Sequence, residues 1–253
     1  MIFGWLRARR RRRILREPMP RAWRQIIHDN VKHYDTLTPK EQAKLEDDAR
    51  VFAATKSWDG GHGVEITDEV KLTIAAQACL MVLGFDDSLN RFHNVRDIVV
   101  LESAYNMATG ADRVTAANTH LGHTSYHGPV VLAWDTTRHG GRDPRDGRNL
   151  VYHEFAHKLD FDDGLADGTP ILSNRVDLNT WIDVMTAAYE ELCEQQDKRR
   201  PSLLDQYGTT NSAEFFAVAT ECFFEKAVQL KLQHTDLYNI LAAYYQQDPA
   251  SRS

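Results

Sequence analysis

The stretch His153-Glu154-Phe155-Ala156-His157 decides the fold and the chemistry of this chain. It has the form H-E-x-x-H, in which two histidines four residues apart lie on one face of an α-helix. Both imidazoles can therefore bind one metal ion, and the carboxylate of Glu154 can reach a water molecule on that ion. An exposed helix whose histidines pair with nearby acids is the alternative. The apolar neighbours favour a buried helix over residues 149–159: Leu150, Val151, Phe155 and Leu159.

A catalytic zinc ion takes three protein ligands and leaves a fourth position for water, so a third ligand must come from elsewhere in the chain. Glu214 is the first candidate, because a carboxylate in the apolar segment 213–218 needs a partner such as a cation. Glu221, seven residues on and on the same helix face, is the second. Asn211 to Glu214 also has the spacing of a capping box, so from the residues alone Glu214 could equally bond back to the helix start. Asp160 could be a helix-end group or a partner that orients one of the histidines.

Such a site predicts hydrolysis. The metal lowers the pKa of a bound water from about 16 to about 7. Glu154 would take the proton as general base and pass it to the leaving amine. Tyr207 could donate a hydrogen bond to the developing oxyanion, although a lone tyrosine is more often a packing residue. Three isolated histidines could line the substrate side of the cleft: His93, His123 and His127.

The charge of the chain is unevenly distributed. Its 253 residues are 42% hydrophobic and 26% charged, as in soluble globular proteins. The first 24 residues, however, hold nine arginines and one acid, Glu17, while the rest is acidic. This predicts a flexible basic arm over residues 1–19 and one folded domain over residues 20–250. Alternatively, Arg7–Arg16 with the preceding Phe3, Trp5 and Leu6 could contact an anionic membrane surface. No recognition motif accompanies the charge, so sequence-specific nucleic-acid binding is not expected.

The weakness of any export signal and the pattern of the cysteines favour a cytoplasmic protein. The apolar run after the arginines is too short for an export signal, and no run of 18 or more apolar residues predicts a transmembrane helix. The three cysteines, Cys79, Cys193 and Cys222, are odd in number and widely separated. Free thiols in a reducing compartment are the expected state.

The order of predicted elements favours an α+β fold. Thr38-Pro39-Lys40-Glu41 has the pattern of a capping box and predicts a helix to about Thr55. A second helix is predicted from Thr67 to about Gly84, and residues 137–149 are expected to form a loop. The remaining predictions are strands at 98–101 and 129–134, and helices at 177–196, 212–227 and 235–247.

Several separate motifs resemble the MtfA (Mlc titration factor A) family of bacterial zinc metallopeptidases, in order from about residue 20 to 250. They are Tyr152–Asp160 with Asp163-Gly164, Gly128–Trp134, Ala213–Val218 with Glu221 and Phe223-Phe224, and Tyr244–Pro249. The segment from Tyr207-Gly208 to Ala217 also resembles the catalytic domain of anthrax lethal factor, a zinc peptidase. The arginine run departs from the family pattern, so nothing is carried over to it.

This resemblance implies a zincin-like fold, mostly helical with a small mixed sheet, in which the strand at Gly128–Trp134 forms a cleft wall. It implies one zinc ion per chain, held by His153, His157 and Glu214, with Glu154 and Tyr207 as catalytic residues. The implied activity is an aminopeptidase-like cleavage of peptide substrates. It also implies a link to the control of sugar uptake through a transcriptional repressor. The alternative function is therefore a regulatory protein that sequesters such a repressor, with the metal site secondary.

Overall fold

The structure, a computed structural model, describes residues 2–103, 128–173 and 175–252. These ranges contain ten α-helices, three short strands and several single 3₁₀ turns, a mostly helical α+β arrangement. The helices are α1 (Ile2–Ile14), α2 (Arg21–Asn30), α3 (Pro39–Thr55), α4 (Asp68–Met81), α5 (Trp134–Arg142), α6 (Leu150–Asp160), α7 (Leu178–Asp197), α8 (Ser212–Glu225), α9 (Ala227–Gln233) and α10 (Thr235–Tyr245).

The described strands form one parallel sheet in the order β1 (Ser57–Gly60), β2 (Asp97–Leu101) and β3 (Val130–Ala133). The prediction of β2 and β3 is confirmed, since both are short apolar runs rich in valine. The expectation of a mixed sheet is wrong for the described strands, which are all parallel. Strand β1 was not predicted, because its sequence SWDG has none of the apolar β-branched residues that mark a strand.

Helix starts follow the local sequence closely. Thr38 accepts a hydrogen bond from the backbone N–H of Glu41, and the Glu41 side chain accepts the backbone N–H of Thr38, which completes the predicted capping box of α3. Thr67 caps α4 in a similar way through the N–H of Val70. The predicted helices at 177–196, 212–227 and 235–247 correspond to α7, α8 and α10 within one or two residues.

The segment expected as a loop, residues 137–149, is partly helical, because α5 runs to Arg142. Two glycines in α5, Gly140 and Gly141, suggested a loop in the sequence. Here glycine serves close packing instead. A Cβ atom on Gly141 would lie 2.2 Å from the carbonyl oxygen of Asn30 at the end of α2, so only glycine lets the two helices approach this closely.

The segment predicted as a flexible arm forms helix α1, which contacts α3. Arg11 pairs with the buried Asp48 at 3.1 Å, and Arg10 donates to the carbonyl of Ala54. Arg50 of α3 in turn donates to the carbonyl oxygens of Ile14 and Glu17, where α1 ends. Residues 2–14 therefore form a helix in contact with α3, while the flexibility of this segment stays a prediction.

The core forms around α6 and α8. Helix α6 packs against α8, α4 and β3, and every residue of α8 after Ser212 is buried. Strand β3 therefore lies beside the H-E-x-x-H helix, and Lys158 of α6 donates to the carbonyl oxygen of Gly128 just before that strand, at 3.1 Å. None of the helices in the described ranges combines the length and the apolar character that are needed to cross a bilayer.

Candidate metal centre

Helix α6 presents His153 and His157 on one face. Their ring centroids are 4.9 Å apart with an interplanar angle of 84°, and their Nε2 atoms are 3.3 Å apart. Asn149 begins the helix as N-cap, because its Oδ1 accepts the backbone N–H of Tyr152 at 3.1 Å. The predicted helix over 149–159 is confirmed by α6 (Leu150–Asp160), and its pattern places both imidazoles at the same point.

Helix α8 brings Glu214 to the same point. Its Oε2 lies 3.0 Å from Nε2 of His153 and 3.3 Å from Nε2 of His157. Asn211 caps α8 by accepting the backbone N–H of Glu214 at 2.9 Å, so the Glu214 backbone takes part in the cap while its carboxylate faces the imidazoles. Of the two roles that the sequence left open, the side chain therefore has the geometry expected of a metal ligand.

The chemistry of this group fits a divalent metal ion. The two imidazole nitrogens and the carboxylate oxygen all lie within 4.8 Å of one another, and the three side chains are only 14%, 8% and 4% exposed. Two histidines and one carboxylate form a ligand set found in catalytic zinc sites. The three groups come from two helices that are packed together, so the ligand atoms already converge in the folded chain.

Hydrogen bonds favour a protonated His153 beside an ionised Glu214. Burial favours the neutral forms, but hydrogen bonds to both histidines outweigh it and lower the pKa of Glu214 to about 2. Burial likewise opposes a charge on His153, but hydrogen bonds to Glu214 and Glu221 raise the pKa of His153 to about 10. A cation can take the place of that proton, since metal ions and protons compete for the same nitrogen.

Glu221 binds the opposite nitrogen of His153. Its Oε1 lies 2.8 Å from Nδ1, whereas Nε2 faces Glu214. Its other oxygen, Oε2, accepts the backbone N–H of Asn149 at 2.6 Å. Glu221 therefore lies behind the imidazole and does not face the three converging atoms, which disfavours its candidacy as the third ligand.

The two proposed catalytic side chains border the same group. Glu154 follows His153 directly and is partly exposed. The ring of Tyr207 lies 6.0 Å from that of His153 and is 47% exposed. Burial and the nearby carboxylates of Glu214 and Glu154 raise the pKa of the Tyr207 phenol, which keeps it protonated and able to donate.

A capped turn holds Tyr207 in place. The 3₁₀ turn Gln206–Thr209 begins at Asp205, whose Oδ1 accepts the backbone N–H of Tyr207 at 2.9 Å. The other oxygen of Asp205 pairs with Arg148 at 2.6 Å, in the loop that leads into α6. The turn is thereby joined to the start of the helix that bears the histidines.

Of the two roles that its sequence position left open, Asp160 has the one at the helix end. Its Oδ2 accepts the backbone N–H of Gly168 at 3.0 Å, and no hydrogen bond joins it to His153 or His157 among the described residues. Burial raises the pKa of Asp160 to about 7. Asp160 therefore fixes the loop that follows α6.

Two buried amides were missed by sequence reasoning. Nδ2 of Asn149 donates to Oε1 of Gln77, at 2.9 Å, and to Oε1 of Glu225, at 3.1 Å. Burial raises the pKa of Glu225 to about 9, so this carboxyl group is protonated at neutral pH. Asn149 could have been found as the helix cap, but its long-range partners leave no local pattern.

Other candidate groups lie apart from this cluster. His93 pairs with Asp162 at 3.4 Å, whereas His123 and His127 lie outside the described residues. A second set of ligand-type side chains lies at the surface, namely His139, Asp143 and Asp146. These exposed groups lack the burial that distinguishes the first set.

Comparison with known proteins identifies the family. The model of the glucose-regulated metallo-peptidase M90 family matches residues 5–246, so the match extends into the arginine-rich segment, further than the motifs alone suggested. An uncharacterized protein of Synechocystis sp. is 35% identical over 95% of this chain and 89% of its own length. Mlc titration factor A of Klebsiella pneumoniae is 32% identical over 91% of this chain and 87% of its own length. Mlc titration factor A of Pectobacterium atrosepticum is 31% identical over 85% of this chain and 83% of its own length.

The family match covers nearly the whole chain, and it agrees with the motifs that resemble the MtfA family. The family description implies a metal, in keeping with the convergence of His153, His157 and Glu214. The chain belongs to the glucose-regulated metallo-peptidase M90 family, together with the Mlc titration factor A proteins.

Proposed function

We propose that this chain is a zinc-dependent peptidase with a zincin-like fold. His153, His157 and Glu214 would hold one zinc ion per chain. The main support for this proposal is that their three ligand atoms lie within 4.8 Å of one another in a buried corner between α6 and α8. When bound, zinc would acidify a water molecule and polarise the carbonyl of the scissile peptide bond.

Two side chains beside that corner would carry out the proton transfer and the oxyanion stabilisation. Glu154 would accept the proton of the attacking water and deliver it to the nitrogen of the leaving amine. Tyr207 would donate its phenolic proton in a hydrogen bond to the oxygen that becomes negatively charged. The partial exposure of both side chains leaves them accessible to a substrate, while the histidines and Glu214 are buried.

Finer parts of this proposal rest on family resemblance. An aminopeptidase-like activity would require a group that recognises the positively charged amino terminus of a peptide. The part of the chain after the arginine-rich segment has a net negative charge, which would suit such recognition. A cytoplasmic location agrees with three free cysteines, of which Cys79 and Cys222 are buried. A role in the regulation of sugar uptake would connect this activity to the family description.

The decisive experiment compares wild type with Glu154→Gln and Glu214→Ala, measuring bound zinc and hydrolysis of a peptide library. We expect Glu154→Gln to keep one zinc ion and to lose most hydrolysis, and Glu214→Ala to lose zinc as well. Glu190→Gln, which removes an exposed carboxylate, is the control. Hydrolysis by Glu154→Gln at the wild-type rate would reject Glu154 as the base.

The second candidate function is a regulatory protein that sequesters a transcriptional repressor, with the metal site secondary. It is favoured by the name Mlc titration factor A that several relatives carry. Titration calorimetry with a purified repressor of the Mlc type would test it. Binding that survives in Glu154→Gln and Glu214→Ala would separate this function from catalysis, and absence of binding in wild type would exclude it for that repressor.

Helix α1 is a candidate contact with an anionic membrane surface. Arg9, Arg12 and Arg13 are exposed, and Trp5 is 56% exposed. Arginine and tryptophan together favour the interface of an anionic bilayer. Replacing the three arginines by glutamine should reduce sedimentation with phosphatidylglycerol vesicles. Equal sedimentation of the variant and wild type would exclude the contact.

A further inference from the structure

A zinc-binding imidazole must present one nitrogen to the metal and carry its proton on the other. In His153 the two nitrogens have distinct surroundings. Nε2 faces Glu214 at 3.0 Å and His157 at 3.3 Å, whereas Nδ1 faces Oε1 of Glu221 at 2.8 Å. A carboxylate can only accept a hydrogen bond, so Glu221 would keep a proton on Nδ1 when a metal ion replaces the proton on Nε2, the nitrogen that faces the proposed ligand Glu214.

Glu221 is itself fixed by the helix that it supports. Its Oε2 accepts the backbone N–H of Asn149 at 2.6 Å, at the first turn of α6. The backbone N–H groups of a helix start have no partner within the helix, so this bond also satisfies a donor that would otherwise be buried alone. Glu221 therefore binds α6 at two points, the helix start and the imidazole of His153.

Asn149 is held from the other side. It is 1% exposed, and its amide donates to the fully buried Gln77 of α4 while its Oδ1 caps α6. The backbone N–H that donates to Glu221 therefore belongs to a residue that is also hydrogen-bonded to α4. A carboxylate anchored in this way has little freedom to turn away from the ring.

We propose that Glu221 is a positioning residue that sets the proton position and orientation of His153, and that Asn149 keeps Glu221 in place. This inference rests on the proposed zinc site. It differs from a ligand role, because Glu221 acts through the ring of His153. It also differs from a purely structural role, because it predicts an effect on metal affinity beyond any effect on folding.

Glu221→Gln is the sharpest variant, because glutamine has the same shape but only one acceptor oxygen. Two donors, the N–H of Asn149 and the Nδ1–H of His153, compete for that oxygen. If the amide nitrogen of glutamine faces Nδ1, the ring must carry its proton on Nε2, and that nitrogen can no longer bind a metal. We expect zinc affinity to fall about 10- to 100-fold, as for other partners of metal-binding histidines.

Thr220→Val is the matched control. Thr220 is the neighbour of Glu221 on α8, about 100° around the helix from it, is fully buried, and shares a hydrogen bond of 2.8 Å with Tyr245. Its loss weakens the packing of α8 without touching His153. We expect this variant to be less stable to urea, with zinc affinity close to that of wild type.

The experiment measures zinc dissociation constants by competition with a chromophoric chelator, together with urea unfolding of the metal-free proteins. A second readout is the visible spectrum of the cobalt-substituted proteins, which responds to the ligand geometry and which we expect to change in Glu221→Gln only. Equal zinc affinity and equal cobalt spectra for Glu221→Gln and wild type would overturn the proposal.

Two further outcomes separate this proposal from the proposed function. Failure of wild type to bind one zinc ion would remove the zinc site itself, and the positioning role with it. If wild type binds zinc, but Glu221→Ala loses it completely while Glu214→Ala keeps it, Glu221 is the ligand and the positioning role is wrong. Intermediate zinc affinity in Glu221→Ala, with loss of zinc in Glu214→Ala, supports the roles assigned here.

Discussion

Oε2 of Glu214 lies 3.0 Å from Nε2 of His153, although the two residues are 61 positions apart and belong to different helices. The contact forms because α6 and α8 pack directly against each other. It adds a third candidate ligand to the two that the motif supplies.

Glu214→Ala should abolish the stabilisation of the protein by zinc. A ligand that binds only the folded state stabilises it by about 2.7 kcal/mol at a concentration of 100 times its dissociation constant. We expect wild type to show a zinc-dependent rise in melting temperature and Glu214→Ala to show almost none. Glu190→Ala, an exposed position on α7, should respond like wild type. A full zinc response in Glu214→Ala would show that the third ligand lies elsewhere.

Tyr207→Phe should lower kcat about 100-fold, the usual effect of removing one donor to an oxyanion, while zinc affinity stays the same. The ring remains in place, so the turn Gln206–Thr209 should keep its structure. Tyr189→Phe tests the turn itself, because its phenol donates to the carbonyl of Thr209 at 3.0 Å. If Tyr189→Phe lowers kcat as much as Tyr207→Phe, displacement of the turn is the cause.

Glu225→Gln should change how stability depends on pH. Burial raises the pKa of Glu225 to about 9, above the usual value of 4.5. The folded state then keeps a proton that the unfolded state releases, so this group's contribution is full below pH 4.5 and is lost as pH rises toward 9. At pH 7 the loss is about 3 kcal/mol at most.

The measurement is urea unfolding of wild type and Glu225→Gln at pH 5, 7 and 8.5. We expect the variant to gain stability relative to wild type as pH rises, because glutamine has no proton to release. A constant offset, from the changed hydrogen bond to Asn149, does not alter this trend. If the free energies of unfolding of variant and wild type differ by the same amount at all three pH values, Glu225 is ionised in the folded state.

Gly168→Ala should destabilise the loop after α6. Gly168 has a φ of +79°, and a Cβ atom there would lie 2.5 Å from the carbonyl oxygen of Ser212 at the start of α8. Gly164 has a φ of +95° but open space around it, so Gly164→Ala measures backbone strain alone. We expect Gly168→Ala to lose about 1 to 3 kcal/mol more in urea unfolding. Equal losses would show that the loop yields without disturbing α8.

The sequence predicted the elements whose signals are local. Thr38 with Glu41 marked the start of α3, and Asn149 begins the histidine helix where its pattern indicated. The buried strands β2 and β3 followed from consecutive β-branched residues. These signals depend on a few neighbouring residues, and tertiary packing did not change the secondary structure that they predict.

Contacts between distant segments could not be predicted in the same way. Strand β1 is polar and forms because β2 offers it a parallel edge, with Trp58 opposite Ile98. The glycines of α5 have the composition of a loop, yet they allow contact with α2. The roles of Glu221 and Gln77 depend on Asn149, which lies 72 residues from each of them. No spacing rule relates such positions.

Helix α8 supplies both Glu214 and Glu221, and each holds a different nitrogen of the same imidazole. Sliding α8 along its axis by one residue, about 1.5 Å, would break both contacts at once. In the proposed zinc site, metal occupancy would therefore depend on the register of these two helices. Amide hydrogen exchange in the middle of α8 should slow when zinc is added. Core substitutions on α8 such as at Phe216, which packs against Trp181 and Tyr244, should speed zinc release.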